Sequence, residues 1–144
     1  MKTIFLLLHF ATISSSALAA TPLEPGEYEY KIAITTKGLP AAAAAHMPKG
    51  NSNKICLRAE DLQKKIPLQK IVEQPSCKVQ FTKQTDARME WTLSCSGGMT
   101  TGSGWLDVKK NAFNGESKTT TVIPGAAAMI FLTKYDGKRS GVCH

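Results

Sequence analysis

From Gly26 to Thr36 the chain alternates: Tyr28, Tyr30, Ile32 and Ile34 share one face, and Glu27, Glu29, Lys31 and Thr35 share the other. A period of two with aromatic and β-branched residues in the apolar phase predicts a half-buried strand. Cys77, Val79 and Phe81 alternate in the same way, Thr85-Asp86 offers a turn, and Met89, Trp91, Leu93 and Cys95 alternate again. Residues 77–95 are therefore expected to form a hairpin. After Gly97-Gly98, strands are expected over about Met99 to Val108, Phe113 to Val122 and Ala126 to Tyr135, with a loop at Lys109 to Ala112. Pro124-Gly125 and Asp136-Gly137 read as turns around the last of these. Its apolar run, Ala126 to Leu132, is too short to cross a bilayer and reads as a strand buried on both faces.

Helical signals are few. A short strand near Lys54 to Leu57 leads into Ala59 to Lys65, where Glu60-Asp61 early and Lys64-Lys65 late suit the dipole of a one- or two-turn helix that Pro67 stops. Ala41 to Ala45, between Pro40 and Pro48, is too short to sustain a helix alone and reads as a flexible connection. The expected fold is mainly β: an antiparallel meander of about seven strands, forming a barrel or a strongly curved open sheet, with one short helix.

The N-terminus is excluded from that fold. Lys2 precedes the apolar stretch Ile4 to Ile13 and a small-residue run ending Ser16-Ala17-Leu18-Ala19-Ala20. This is the pattern of a secretory signal peptide, with Ala17 and Ala19 as the small residues before the cut. Residues 1–19 are expected to be removed and residues 20–144 to form one disulfide-containing β domain, periplasmic or secreted, with no transmembrane segment.

Export puts Cys56, Cys77, Cys95 and Cys143 in an oxidising compartment, where four widely spaced cysteines read as two disulfides with three connectivities open. The hairpin discriminates among them. With its turn centred on Asp86, Cys77, Val79 and Phe81 oppose Cys95, Leu93 and Trp91. Directly opposed residues have Cα atoms about 4.5 to 5.5 Å apart, within disulfide range. We therefore expect Cys77–Cys95 and, with it, Cys56–Cys143.

Lysine and arginine number 18 against 11 aspartate and glutamate, and losing Lys2 leaves a formal charge of +6 on the mature chain. The cations are dispersed, with no basic-aromatic interleaving of the kind that tracks nucleic acid. The chain carries no complete catalytic or metal-binding motif. Gly97 to Ser103 has the glycine spacing of a phosphate loop, but Ser103 stands where the lysine is required. A Ser-His-Asp triad would need His46, in a loop, or His144, at the terminus. His46-Met47 offers copper-type donors but only two, and no Cys-x-x-Cys pair exists for zinc. No metal, cofactor or catalytic residue is expected.

With these residues laid out, the chain resembles a family of small exported bacterial proteins catalogued as domain of unknown function 3617. The resemblance rests on Pro25-Gly26-Glu27-Tyr28-Glu29-Tyr30, then Lys54-Ile55-Cys56-Leu57 with Glu60-Asp61-Leu62, then Cys95-Ser96-Gly97, Met99 to Gly104, and Tyr135 to Cys143. It departs from the family pattern at the alanine run, where only Met47-Pro48 remains of a Met- and Pro-rich loop, and at Lys109-Lys110, in place of Ser-Gly. The resemblance implies an exported, disulfide-containing β protein and no particular activity.

The functional expectation is a non-catalytic, monomeric binding module whose partner is apolar, anionic or both: a lipid, lipopolysaccharide or small apolar ligand. Its candidate lining is Tyr28, Tyr30, Trp91 and Trp105, amphipathic aromatics that give contact area at low entropic cost. The alternatives are a hydrolase and an envelope inhibitor or structural protein. Intact mass of the secreted product tests the first step: we expect a chain beginning at Ala20, and a mass retaining residues 1–19 would refute it.

Overall fold

The computed structural model describes residues 23–63, 68–72 and 76–144. The expected signal peptide, its cleavage site, and the Lys64-Lys65 and Pro67 signals lie outside these residues. In chain order the elements are β1 (Gly26–Lys37), α1 (Ala41–Ala45), β2 (Gly50–Leu57), α2 (Ala59–Leu62), α3 (Gln69–Val72), β3 (Cys77–Gln84) and β4 (Arg88–Cys95), followed after a 3₁₀ turn at Ser96–Gly98 by β5 (Thr100–Lys109), β6 (Ala112–Thr121) and β7 (Met129–Gly141).

The strands form one antiparallel sheet in the order β2-β1-β7-β6-β5-β4-β3. Strands β3 to β7 are a meander, as expected, but β1 pairs with β7, so β1 and β2 extend the far side. The sheet is open, with β2 and β3 as its edges, and the barrel alternative falls. The chain leaves β2 at one edge and re-enters at β3 on the other. The connection carries α2 and α3, and its Leu68, Ile71 and Val72 are buried with the core of the sheet.

That core lies on one face. Tyr28, Leu57, Met89, Trp91, Leu93, Leu106, Phe113 and Tyr135 are all buried and in phase. Large rings on neighbouring strands are accommodated by glycines between them. A Cβ at Gly104 would run into the Trp91 indole, and one at Gly137 into the Phe113 ring. Across these gaps the rings meet: Tyr28 and Tyr30 lie 6.1 and 6.2 Å from Phe113, and Trp91 meets Tyr135 edge-on at 6.2 Å. Truncating such a buried ring to alanine costs roughly 3–5 kcal/mol, so these few residues dominate the stability of the face.

The β3–β4 register pairs Cys77 with Cys95, Val79 with Leu93 and Phe81 with Trp91, before a bulge between Phe81 and Lys83. Disulfides join Cys77 to Cys95 and Cys56 to Cys143. Loop entropy assigns roughly 3 kcal/mol to the first, closing 18 residues, and roughly 4.5 to the second, closing 87.

Three local expectations are corrected. Ala41–Ala45 is one helical turn, with the Ala44 N–H donating to the Pro40 carbonyl at 2.9 Å, and with α3 the short α-helices among the described residues number three rather than one. In α2 the early acids behave as expected: the Asp61 carboxylate accepts the Arg58 backbone N–H at 3.0 Å. The last strand runs Met129–Gly141, so Asp136-Gly137 is mid-strand rather than a turn. Ala126, Ala127 and Ala128 are exposed in the β6–β7 loop, and Met129 to Leu132 are partly exposed, so this run is not buried on both faces.

Gly104→Ala is expected to lower stability by about 1–3 kcal/mol, the usual cost of overpacking, measured by denaturant midpoint. Gly141→Ala, whose Cβ meets nothing within 4 Å, should change it by less than about 0.5 kcal/mol.

Candidate functional site

The face opposite the core carries the alternate residues of the same strands. Over β3 to β7 it is hollowed into a groove of about 450 Å³, lined by Arg88, Glu90, Trp105, Glu116, Lys118 and Lys134 among others. Strand phase makes the groove. Glu90, Trp105, Glu116 and Lys134 stand directly opposite one another on β4, β5, β6 and β7, forming one row. In the next row Thr92, Ser103, Lys118 and Leu132 are likewise in register.

Arg88 organises one end. Its Nε donates to Glu90 Oε1 and its Nη1 to Asp107 Oδ1, both at 2.6 Å, and the guanidinium lies 4.7 Å from the Trp105 ring centroid. Its hydrogen bonds to Glu90 and then Asp107 raise the Arg88 pKa, so this cation is held charged. Stacking of this kind stiffens a partly buried tryptophan at the surface. Toward the other end, Lys134 Nζ is 3.6 Å from Glu116 Oε1, an exposed pair that adds at most about 1 kcal/mol. Lys118 forms no ion pair among the described residues, which leaves one uncommitted cation in the groove.

The four aromatic candidates are not brought together. Tyr28 is 0% and Trp91 1% exposed, on the core face, where α3 and the neighbouring rings leave them no ligand-accessible surface. Tyr30 is partly buried against the same core. Trp105 stands in the groove, and Trp91 also borders it, from beneath the floor, where Gly104 lets the indole approach the backbone. Arg88, Glu90, Lys118 and Lys134 were not read as candidates. The signal for them was phase: Ser103, Trp105 and Asp107 alternate with the core residue Leu106, so a tryptophan there sits on the polar side.

No group of three or more His, Cys, Asp or Glu able to hold a metal occurs among the described residues, and no helix of theirs is long and apolar enough to cross a membrane.

The family described as "Protein of unknown function (DUF3617)" matches residues 23–143, and the chain belongs to it. No curated protein and no solved structure matches the chain.

Two tyrosines are buried in the core. The Tyr135 and Ser117 hydroxyls share a hydrogen bond at 3.1 Å beneath the groove, and the Tyr28 hydroxyl donates to the Glu24 carbonyl at 2.7 Å. Burial raises the pKa of both phenols above 10.0. A raised folded-state pKa contributes stability that is complete below the unfolded value and is lost as pH rises through the folded one. Spectrophotometric titration should therefore show Tyr28 and Tyr135 ionising above the ordinary tyrosine range, with stability falling as pH climbs beyond about 10. Ordinary ionisation of all three tyrosines would refute this.

Proposed function

We infer that this domain is a non-catalytic binding module of the cell envelope, and that its ligand is an amphipathic anion held in the groove of the polar face. The observation that carries this reading is the placement of a partly buried indole, Trp105, beside an uncommitted cation, Lys118, in one groove. An apolar body packs on the ring while a carboxylate or phosphate meets Lys118, with Lys134 within reach of the same end. Glu90 and Asp107 keep Arg88 in place as a rigid wall rather than as a free anion receptor. The expected export and the formal charge of the mature chain support an anionic envelope ligand.

A second reading, hydrolysis, draws on Glu90 and Glu116, which flank Trp105 in one row. Two strands apart, their backbones stand about 9.5 Å from each other, the scale at which paired carboxylates work. The Arg88 bond at 2.6 Å commits Glu90 to a structural ion pair, and this favours binding over turnover.

The test uses intrinsic fluorescence, since Trp105 is the accessible indole. Titration with lysophosphatidylglycerol or a fatty acid should saturate. Trp105→Ala should weaken affinity by more than about fivefold, or 1 kcal/mol, read by calorimetry. Lys118→Glu should weaken it further at low salt than at physiological salt. No saturable binding, with turnover of a generic ester or glycan, would put the hydrolase first.

A further inference from the structure

The two ends of the sheet differ in chemistry. Antiparallel connections alternate, so the β1–β2 loop (38–49), the β4–β5 turn (96–99) and the β6–β7 loop (122–128) all emerge at one end. These three segments contain no carboxylate, and Lys49 and His46 are their only ionisable side chains. The rest is Leu39, Met47, Met99, Val122, Ile123, prolines, glycines, a serine and eight alanines. The opposite end is charged, with Glu24, Arg58, Glu60, Asp61, Asp86 and Lys110.

At the uncharged end the apolar groups face water. Met99 is 53%, Val122 55% and Ile123 45% exposed, three of the four large exposed apolar side chains among the described residues. The alanine turn α1 buries none of its residues. The loops adjoin: the Val122 N–H donates to the Met99 carbonyl at 2.9 Å, and a Cβ at Gly38 would meet the Ala128 carbonyl.

Behind this tip lies a cationic collar. On the polar face, the row nearest the loops runs Lys37, Ile130, Thr120, Thr101, Ser94, Lys78, and the next contains Lys118. Neither row has a carboxylate; the first acids, Glu116 and Glu90, come one row further on. Lys37, Lys49 and Lys78 form no ion pair among the described residues.

We propose that this tip docks the protein on an anionic phospholipid surface, with Met99, Val122 and Ile123 entering the acyl boundary and Lys37, Lys49 and Lys78 at the headgroups. The charge arrangement matches that partner: apolar groups in front, unpaired cations behind and, among the described residues, no acid in the three loops or the two rows behind them. A second protein copy fits less well. Docked tip to tip, it would set Lys37, Lys49 and Lys78 against the same cations, whereas an anionic lipid surface complements them. This site is distinct from the groove and stands without it.

The experiment is flotation of the mature, disulfide-bonded protein with vesicles of equal parts phosphatidylglycerol and phosphatidylcholine, against vesicles of phosphatidylcholine alone. Binding should require the anionic lipid. The double variant Val122→Asp/Ile123→Asp should lose at least tenfold in partitioning with its far-ultraviolet spectrum unchanged, and Val142→Asp, at the opposite end, should bind as the parent does. Ile123→Trp supplies a second readout: its added emission should shift to the blue on anionic vesicles and be quenched by brominated acyl chains. Absence of binding to anionic vesicles, binding undiminished in the double variant, equal loss in Val142→Asp, or an unshifted Ile123→Trp spectrum would each overturn the proposal.

Discussion

Large aromatic rings on one face of a sheet need room that the neighbouring strand must supply, and most of this fold follows from how that room is made. The Trp91 indole occupies the space where a side chain at Gly104 would stand, and the Phe113 ring does the same at Gly137. Each ring thereby lies against backbone and reaches its next partner, Trp91 across β5 and β6 to Tyr135 and Phe113 across β7 to Tyr28 and Tyr30. The apolar volume is thus concentrated on a single face. The β2–β3 connection, with Leu68, Ile71 and Val72, then suffices to cover it.

Concentrating the core on one side frees the other. The alternate positions of β3 to β7 need not pack against anything, so they can carry Arg88, Glu90, Lys118 and a tryptophan that belongs to no core. The same strand ladder also separates the molecule end from end. Tight turns with charged residues occupy one end, and longer loops of small apolar residues the other. Groove and tip are two consequences of one antiparallel sheet, one arising across the strands and the other along them.

How much of this was legible depended on the range over which the signal acts. In hairpin β3–β4 the pairs from Cys77–Cys95 to Phe81–Trp91 could be read, because turn position and alternation are local and together set which cysteines face each other, whereas the bulge after Phe81 could not. The pairing of β1 with β7 and the crossing from β2 to β3 could not, since nothing short-range encodes which distant edges meet. Asp136-Gly137 shows a local signal overridden. Aspartate-glycine is a strong turn dipeptide, but here the glycine answers to the Phe113 ring and the strand continues. Trp105 was found by residue type and misplaced by face; the phase that separates it from Tyr28 and Trp91 was present in the alternation about Leu106.

The arrangement of the two disulfides bears on how such a sheet comes apart. An open sheet has two margins at which a strand could fray, exposing unpaired amides to proteases or to other chains. Here β3 is joined to β4 through Cys77–Cys95 at one end and a tight turn at the other. β2 is tied through Cys56–Cys143 at one end and by the loop from β1 at the other. Neither margin has a loose end from which peeling could begin. Zipper-like opening is therefore blocked at both borders, and detachment of either edge strand requires cooperative loss of the ring-on-glycine contacts in the middle of the sheet or reduction of a bond.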